Sequence, residues 1–144
     1  MKTVRRLLQD KGSQVWHTSP QGSVYSALQL MAEKNVGALV VMAEEKPVGI
    51  FSERDYARKV VLKGRASSET PVSEVMTRDL LTAAPDQTVA ECMVLMSEKH
   101  VRHLPVMDQE RLVGIVSIGD VVKEVIAEQS ATIGYLQDYI TGKR

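Results

Sequence analysis

Gly49-Ile50-Phe51-Ser52-Glu53-Arg54-Asp55 returns 65 residues later as Gly114-Ile115-Val116-Ser117-Ile118-Gly119-Asp120. Glycine, isoleucine, serine and aspartate keep their order and spacing. One G-x-x-S-x-x-D motif says little. Two copies at one offset mark a tandem duplication, and the repeated unit becomes the thing to explain. The same offset aligns residues 15–61 with 80–126 without a gap, and 17 of those 47 pairs are identical.

Within each copy the hydrophobic period changes. Ser23 and Thr88 are suited to N-capping. Val24, Ala27, Leu28 and Met31 follow the first, and Val89, Cys92, Met93 and Met96 the second, at the i, i+3, i+4, i+7 spacing of an amphipathic helix. Ala38–Met42 and Leu104–Met107 then read as buried strands. A polar turn leads each into a second strand, Val48–Phe51 and Val113–Val116. Residues 53–62 and 118–128 read as helices. Each unit is therefore expected to be β-α-β-β-α, giving an α/β fold.

The flanking segments complete the layout. Residues 3–11 suit a short helix with Val4, Leu7 and Leu8 on one side, ended by Gly12-Ser13. Residues 64–70 (GRASSET) read as a polar linker, and Thr70-Pro71 as an N-cap with proline at the first helical position, starting a short helix to Met76. Ile133, Leu136, Tyr139 and Ile140 recur at helical spacing, stopped by Gly142. The expected divisions are residues 1–63, a linker at 64–74, a second unit at 75–128 and a C-terminal helix at 129–144. A unit of about 50 residues buries too little apolar surface alone, so the two should pack as one pseudo-two-fold body with two equivalent clefts.

Composition narrows the function. Eighteen basic residues balance 18 acidic ones, which gives no field for nucleic acid or a strongly charged partner. Aromatics are only 4%, too few for a base-stacking platform. Cys92 is the one cysteine, so neither a disulfide nor a cysteine-based zinc site forms within the chain. No apolar run approaches the roughly 20 residues of a membrane span, and the N-terminus lacks a signal-peptide core, so a cytoplasmic protein is expected. His100 and His103 form an H-x-x-H without further ligands, and Cys92 falls on an apolar helix face, so neither metal nor nucleophile is expected. With no nucleophile–base pair in view, no enzyme is expected.

The motif itself serves two readings. Ser-x-x-Asp at a helix start is a capping box, in which Ser52 and Ser117 cap backbone N–H groups and Asp55 and Asp120 answer the helix dipole. The same geometry exposes helix N–H groups to an anion and places a carboxylate where it accepts from the two hydroxyls of a ribose. Gly49 and Gly114 leave room for a ligand or a second backbone.

These residues resemble the CBS domain, and the tandem resembles the paired arrangement known as a Bateman module, over about residues 12–128. Val48 to Asp55, His103-Leu104-Pro105-Val106 and Val75-Met76-Thr77 carry the likeness, which looks closest to small stand-alone bacterial CBS pairs. The resemblance implies a regulatory module that binds an adenine nucleotide (AMP, ADP, ATP, NAD(H)) or S-adenosylmethionine. It also implies a homodimer forming a disc of four units, and output through a separate effector protein. It implies a first cleft of Ser52, Arg54 and Asp55 with Thr77, Val101, Arg102, His103 and Pro105. The second would take Ser117 and Asp120 with Gly12, Ser13, Val36, Gly37 and Ala38. With Arg54, Arg58, Arg102 and His103 in the first, and Gly12 standing where Thr77 stands, the first is expected to hold phosphate better. The alternative is a ligand-free interaction scaffold with vestigial clefts.

Overall fold

A computed structural model describes residues 2–141. The chain opens with helix α1, Val4–Lys11, capped by Thr3, whose hydroxyl accepts from the Arg6 N–H, and closed by Gly12 at φ 99°. Unit one follows as β1 (His17–Thr18), α2 (Val24–Lys34), β2 (Ala38–Ala43), β3 (Lys46–Ser52) and α3 (Glu53–Asp55). Helix α3 continues as a π-wound turn, Tyr56–Val61. Unit two holds α4 (Val89–Lys99), β4 (His103–Asp108), β5 (Arg111–Ser117) and α5 (Ile118–Thr141).

The helix starts follow from their caps. Ser23 accepts from the Ser26 N–H, and Thr88 forms a reciprocal capping box with Glu91. Asn35 and His100 end α2 and α4 in the left-handed conformation. Both hairpins are antiparallel, and both carry a register shift at the same place, Val41/Met42 and Val106/Met107.

In unit one, β1 runs parallel to β2. In unit two the expected leading strand shrinks to a single bridge, Ala83 to Val106. Proline is the reason. Val40 N–H donates to the Trp16 carbonyl, whereas Pro105, at the matching position, has no N–H to give.

Two further expectations change. Residues 70–76 form no α-helix but a 3₁₀ turn, Val72–Glu74, and Thr70 does not cap it. The Thr70 hydroxyl donates to the Ala66 carbonyl at 2.7 Å instead. The helix expected at 118–128 and the one expected from 129 are a single helix, α5. Gly142, the expected stop, lies outside the described residues, as does the Tyr139 side chain.

Each unit's core is completed by the segment that precedes the other. Val4, Leu7 and Leu8 of α1 pack with Val89, Cys92, Leu104 and Val116 of unit two. Val72, Val75 and Met76 pack with Val24, Leu39 and Phe51 of unit one. Paired backbone bonds fix both crossings. Val4 N–H donates to the Gln87 carbonyl, and Val72 N–H to that of Gly22. This exchange ties the units into one body with a pseudo-two-fold relation.

The motif glycines serve these crossings. A Cβ on Gly49 would lie 2.7 Å from Met76 Sδ and 2.9 Å from the Thr77 carbonyl oxygen. On Gly114 it would lie 2.7 Å from both Leu8 methyl carbons. A ligand is not what needs the space. Met76 and Leu8 fill it, with the Thr77 backbone beside Gly49.

Candidate functional site

The capping box appears in both copies. Ser52 N–H donates to Asp55 Oδ2 at 3.0 Å, and Asp55 N–H returns to Ser52 Oγ at 3.3 Å. Ser117 N–H donates to Asp120 Oδ2 at 2.8 Å, and Asp120 N–H to Ser117 Oγ at 3.2 Å. The helix starts are less open to an anion than expected. Glu53 N–H already donates to the Gly37 carbonyl, and Ile118 N–H to that of Arg102.

The strand ends place both boxes on one cavity of about 810 Å³. Ser52, Arg54, Asp55, Thr77, Val101, Arg102, His103 and Pro105 line it, and so do Val36, Gly37, Ala38, Ser117 and Asp120. The two clefts expected from the duplication are thus one continuous space. At its middle, Gly37 carries no side chain, and the His103 ring lies 3.6 Å from where a Cβ there would be. Ser13 departs from expectation. It is exposed just past α1 and does not line the cavity, nor does Gly12.

The two aspartates differ in what they hold. Asp55 is buried, and both of its oxygens already have partners within the chain. Its Oδ2 accepts from Ser52 N–H and Ser52 Oγ, and its Oδ1 from Thr77 Oγ1 at 3.0 Å, with the Lys59 ammonium 3.0 Å from the same oxygen as an ion pair. Asp120 receives Lys11 Nζ at 2.6 Å and Ser117 N–H, both on Oδ2. Oδ1 of Asp120 accepts nothing among the described residues. Burial pushes the Asp120 carboxyl up, but the Lys11 ammonium and the Ser117 N–H outweigh it and leave the group below the usual aspartate range.

The second half lacks the threonine, as expected from Gly12 at the matching position, but Lys11 supplies its contacts. Thr77 N–H donates to the Ile50 carbonyl, and its hydroxyl to Asp55. In the other half Lys11 Nζ donates to the Ile115 carbonyl at 2.7 Å and to Asp120. One ammonium does the work of the threonine backbone and hydroxyl.

Arg54, Arg58, Arg102 and His103, the expected basic group, all line the cavity. Arg54 Nη1 is committed to the His100 carbonyl at 2.7 Å, which links α3 to the end of α4. Arg58 lines the cavity and is exposed. His103 is held below its ordinary pKa, first by burial and also by Lys11 and Arg102, against an opposing pull from Asp120. It is therefore neutral near pH 7. Sequence reasoning missed Lys59 and Lys11. Lys59 had a signal, since it lies four residues after Asp55 on one helix face. Lys11 had none, because only the crossing of α1 brings it to Asp120.

Other candidates resolve without chemistry. Cys92 is buried in the unit-two core, and burial raises its thiol pKa, which suits packing rather than attack. Trp16 lies under the Lys34 ammonium, 4.3 Å from the ring centre. No group of three or more metal-ligating side chains occurs among the described residues.

The sequence profile of the CBS domain matches residues 13–62 and 72–127. The chain belongs to the CBS-domain family. The CBS pair extends to a relative in Arabidopsis thaliana, the mitochondrial CBS domain-containing protein CBSX3, 40% identical over 136 residues. That match spans 91% of this chain and 66% of the Arabidopsis protein. Among solved structures, the CBS domain protein NE2398 is 47% identical with a TM-score of 0.84, covering 87% of this chain and 98% of that one. The CBS domain pair of protein MJ0100, solved with 5′-methylthioadenosine and S-adenosyl-L-methionine, is 27% identical with a TM-score of 0.77. It covers 89% of this chain and 98% of that one.

Proposed function

We propose that this CBS pair is a regulatory module that binds an adenine nucleotide or a related adenosine compound and signals through a separate protein, without catalysis of its own. The observation that carries the reading is the cavity of about 810 Å³, lined from both units, with a motif aspartate in each half. That volume lies within the usual range for small-molecule sites. The adenosine compounds bound by MJ0100, a relative of the same fold, support an adenosine ligand here. AMP, ATP, NADH and S-adenosylmethionine are the candidates. Because both units line one cavity, a ligand favours the unit arrangement it binds better, and only by that difference in affinity.

Assembly as a homodimer, with four units in a disc, fits the same reading. Tyr25, Leu62, Val94, Val122, Ile126, Ile133, Leu136 and Ile140 are all at least 48% exposed, which is much apolar side chain for a small body to leave in water. The single cysteine and the lack, among described residues, of a helix able to cross a membrane accord with a place in the cytoplasm.

A second reading has one observation in its favour. Both Asp55 oxygens are already engaged from within the chain, as those of a purely structural capping residue would be. A thermal melt separates the two. A ligand at 100 times its Kd adds about 2.7 kcal/mol, roughly 5–11 °C in Tm for a chain of this size. No shift with millimolar AMP, ATP, NADH or S-adenosylmethionine would favour the scaffold.

A further inference from the structure

We infer that Lys11 is a specificity-determining residue of the Asp120 half of the cavity, where it and Asp120 together read a neutral vicinal diol such as that of a ribose. The inference rests on the nucleotide reading above and deepens it. Lys11 lies outside the two segments that match the CBS profile, which begin at residue 13. It belongs to α1, and the α1 crossing onto unit two delivers it to the cavity.

The argument is one of unused hydrogen-bonding capacity. Lys11 Nζ has three donors. One goes to the Ile115 carbonyl at 2.7 Å and one to Asp120 Oδ2 at 2.6 Å. The third is left for a ligand. Asp120 Oδ2 is occupied by Lys11 and Ser117, while Oδ1 accepts nothing among the described residues. A donor and an acceptor therefore stand side by side at the cavity wall. A cis-diol matches them, since one hydroxyl donates to Oδ1 and its neighbour accepts from Nζ. The contact at 2.6 Å also cancels the two charges, so this point does not select a phosphate. Asp55 offers no such pair, because both of its oxygens are already engaged by Ser52, Thr77 and Lys59.

The test compares adenosine with 2′,3′-dideoxyadenosine by titration calorimetry on the full chain. An Asp55→Asn background leaves Asp120 as the only motif carboxylate. That chain should prefer adenosine by roughly tenfold or more, the worth of a charge-assisted hydrogen bond. Adding Lys11→Met removes the donor of the pair and leaves the Asp120 acceptor, so the ratio should fall severalfold without reaching one, and Lys11→Arg, which keeps a donor, should retain it. A purely structural lysine would weaken both nucleosides alike. Should Lys11→Met not fold, Lys11→Gln tests the same donor with a shorter stem. A Lys11→Met chain that keeps the full preference, or that binds both nucleosides more tightly, overturns the inference. If the wild-type chain binds neither nucleoside nor any nucleotide at millimolar concentration, the proposed function itself fails. If the wild type binds but the Asp55→Asn chain does not, only the assignment of Lys11 falls.

Discussion

Gly49→Ala is the most exacting test of how the units are joined. The new methyl would meet Met76 Sδ at 2.7 Å and the Thr77 carbonyl oxygen at 2.9 Å. Met76 is a flexible side chain and gives way. The Thr77 backbone does not, because Ile50 N–H donates to its carbonyl at 3.0 Å and Thr77 N–H donates to the Ile50 carbonyl at 2.8 Å. Overpacking costs about 1–3 kcal/mol, and losing two such bonds adds about 1 kcal/mol each. The expected loss is about 3–5 kcal/mol, a fall in Tm of roughly 6–20 °C. Gly114→Ala is the internal control. Its obstruction is only the Leu8 side chain, so it should cost about 1–3 kcal/mol. The double variants sharpen the contrast. In a Leu8→Ala background Gly114→Ala should become nearly neutral. In a Met76→Ala background Gly49→Ala should keep most of its cost, because the carbonyl remains. Urea and thermal melts of the six variants provide the numbers. A Gly49→Ala chain within 0.5 kcal/mol of wild type would refute the reasoning, as would full rescue by Met76→Ala.

Three other outcomes are expected. Glu45 sits at φ 66° in a two-residue hairpin turn, where glycine is favoured; Glu45→Gly should stabilise the chain by about 0.5–1 kcal/mol in a urea melt, the left-handed strain relieved less the entropy of glycine. His103 has its pKa lowered by burial, so below about pH 6.5 the unfolded chain takes up a proton that the folded chain resists. Stability should therefore fall as pH drops from 7.5 to 5.5, and His103→Gln should flatten that fall; an unchanged slope would show that another group governs it. Deleting residues 129–144 removes the exposed Ile133, Leu136 and Ile140, and light scattering should then report a weaker dimer; a truncated chain that stays fully dimeric would clear the tail of any part in assembly.

The chain's local signals carried a great deal. The 65-residue offset, the capping serine and threonine, and the switch from helical to strand period placed α2, α4 and both hairpins, because each depends on neighbours within a few residues. Most of the cavity was legible for the same reason. Ser52, Asp55, Ser117 and Asp120 are set by the turn from strand to helix, and the repeat carries that turn twice.

Tertiary contact decided the rest. Pro105 reads locally as a strand residue, yet its missing N–H matters only opposite Leu81 and Ala83, where it reduces a strand to a bridge. Gly49 and Gly114 read as space for a ligand or a second backbone; the Thr77 backbone comes up beside Gly49, and Met76 and Leu8, from distant segments, fill the remaining space. Lys11 is an ordinary last-turn lysine in the sequence. It becomes a partner of Asp120, 109 residues away, only because α1 crosses onto the second unit. Sequence by itself determined that there are two copies of one unit with an aspartate in each. Only the folded chain decided that the copies share one cavity, and that a threonine serves one aspartate where a lysine serves the other. Periodicity and caps act within a turn or two of backbone, whereas these outcomes depend on which segment packs across the molecule.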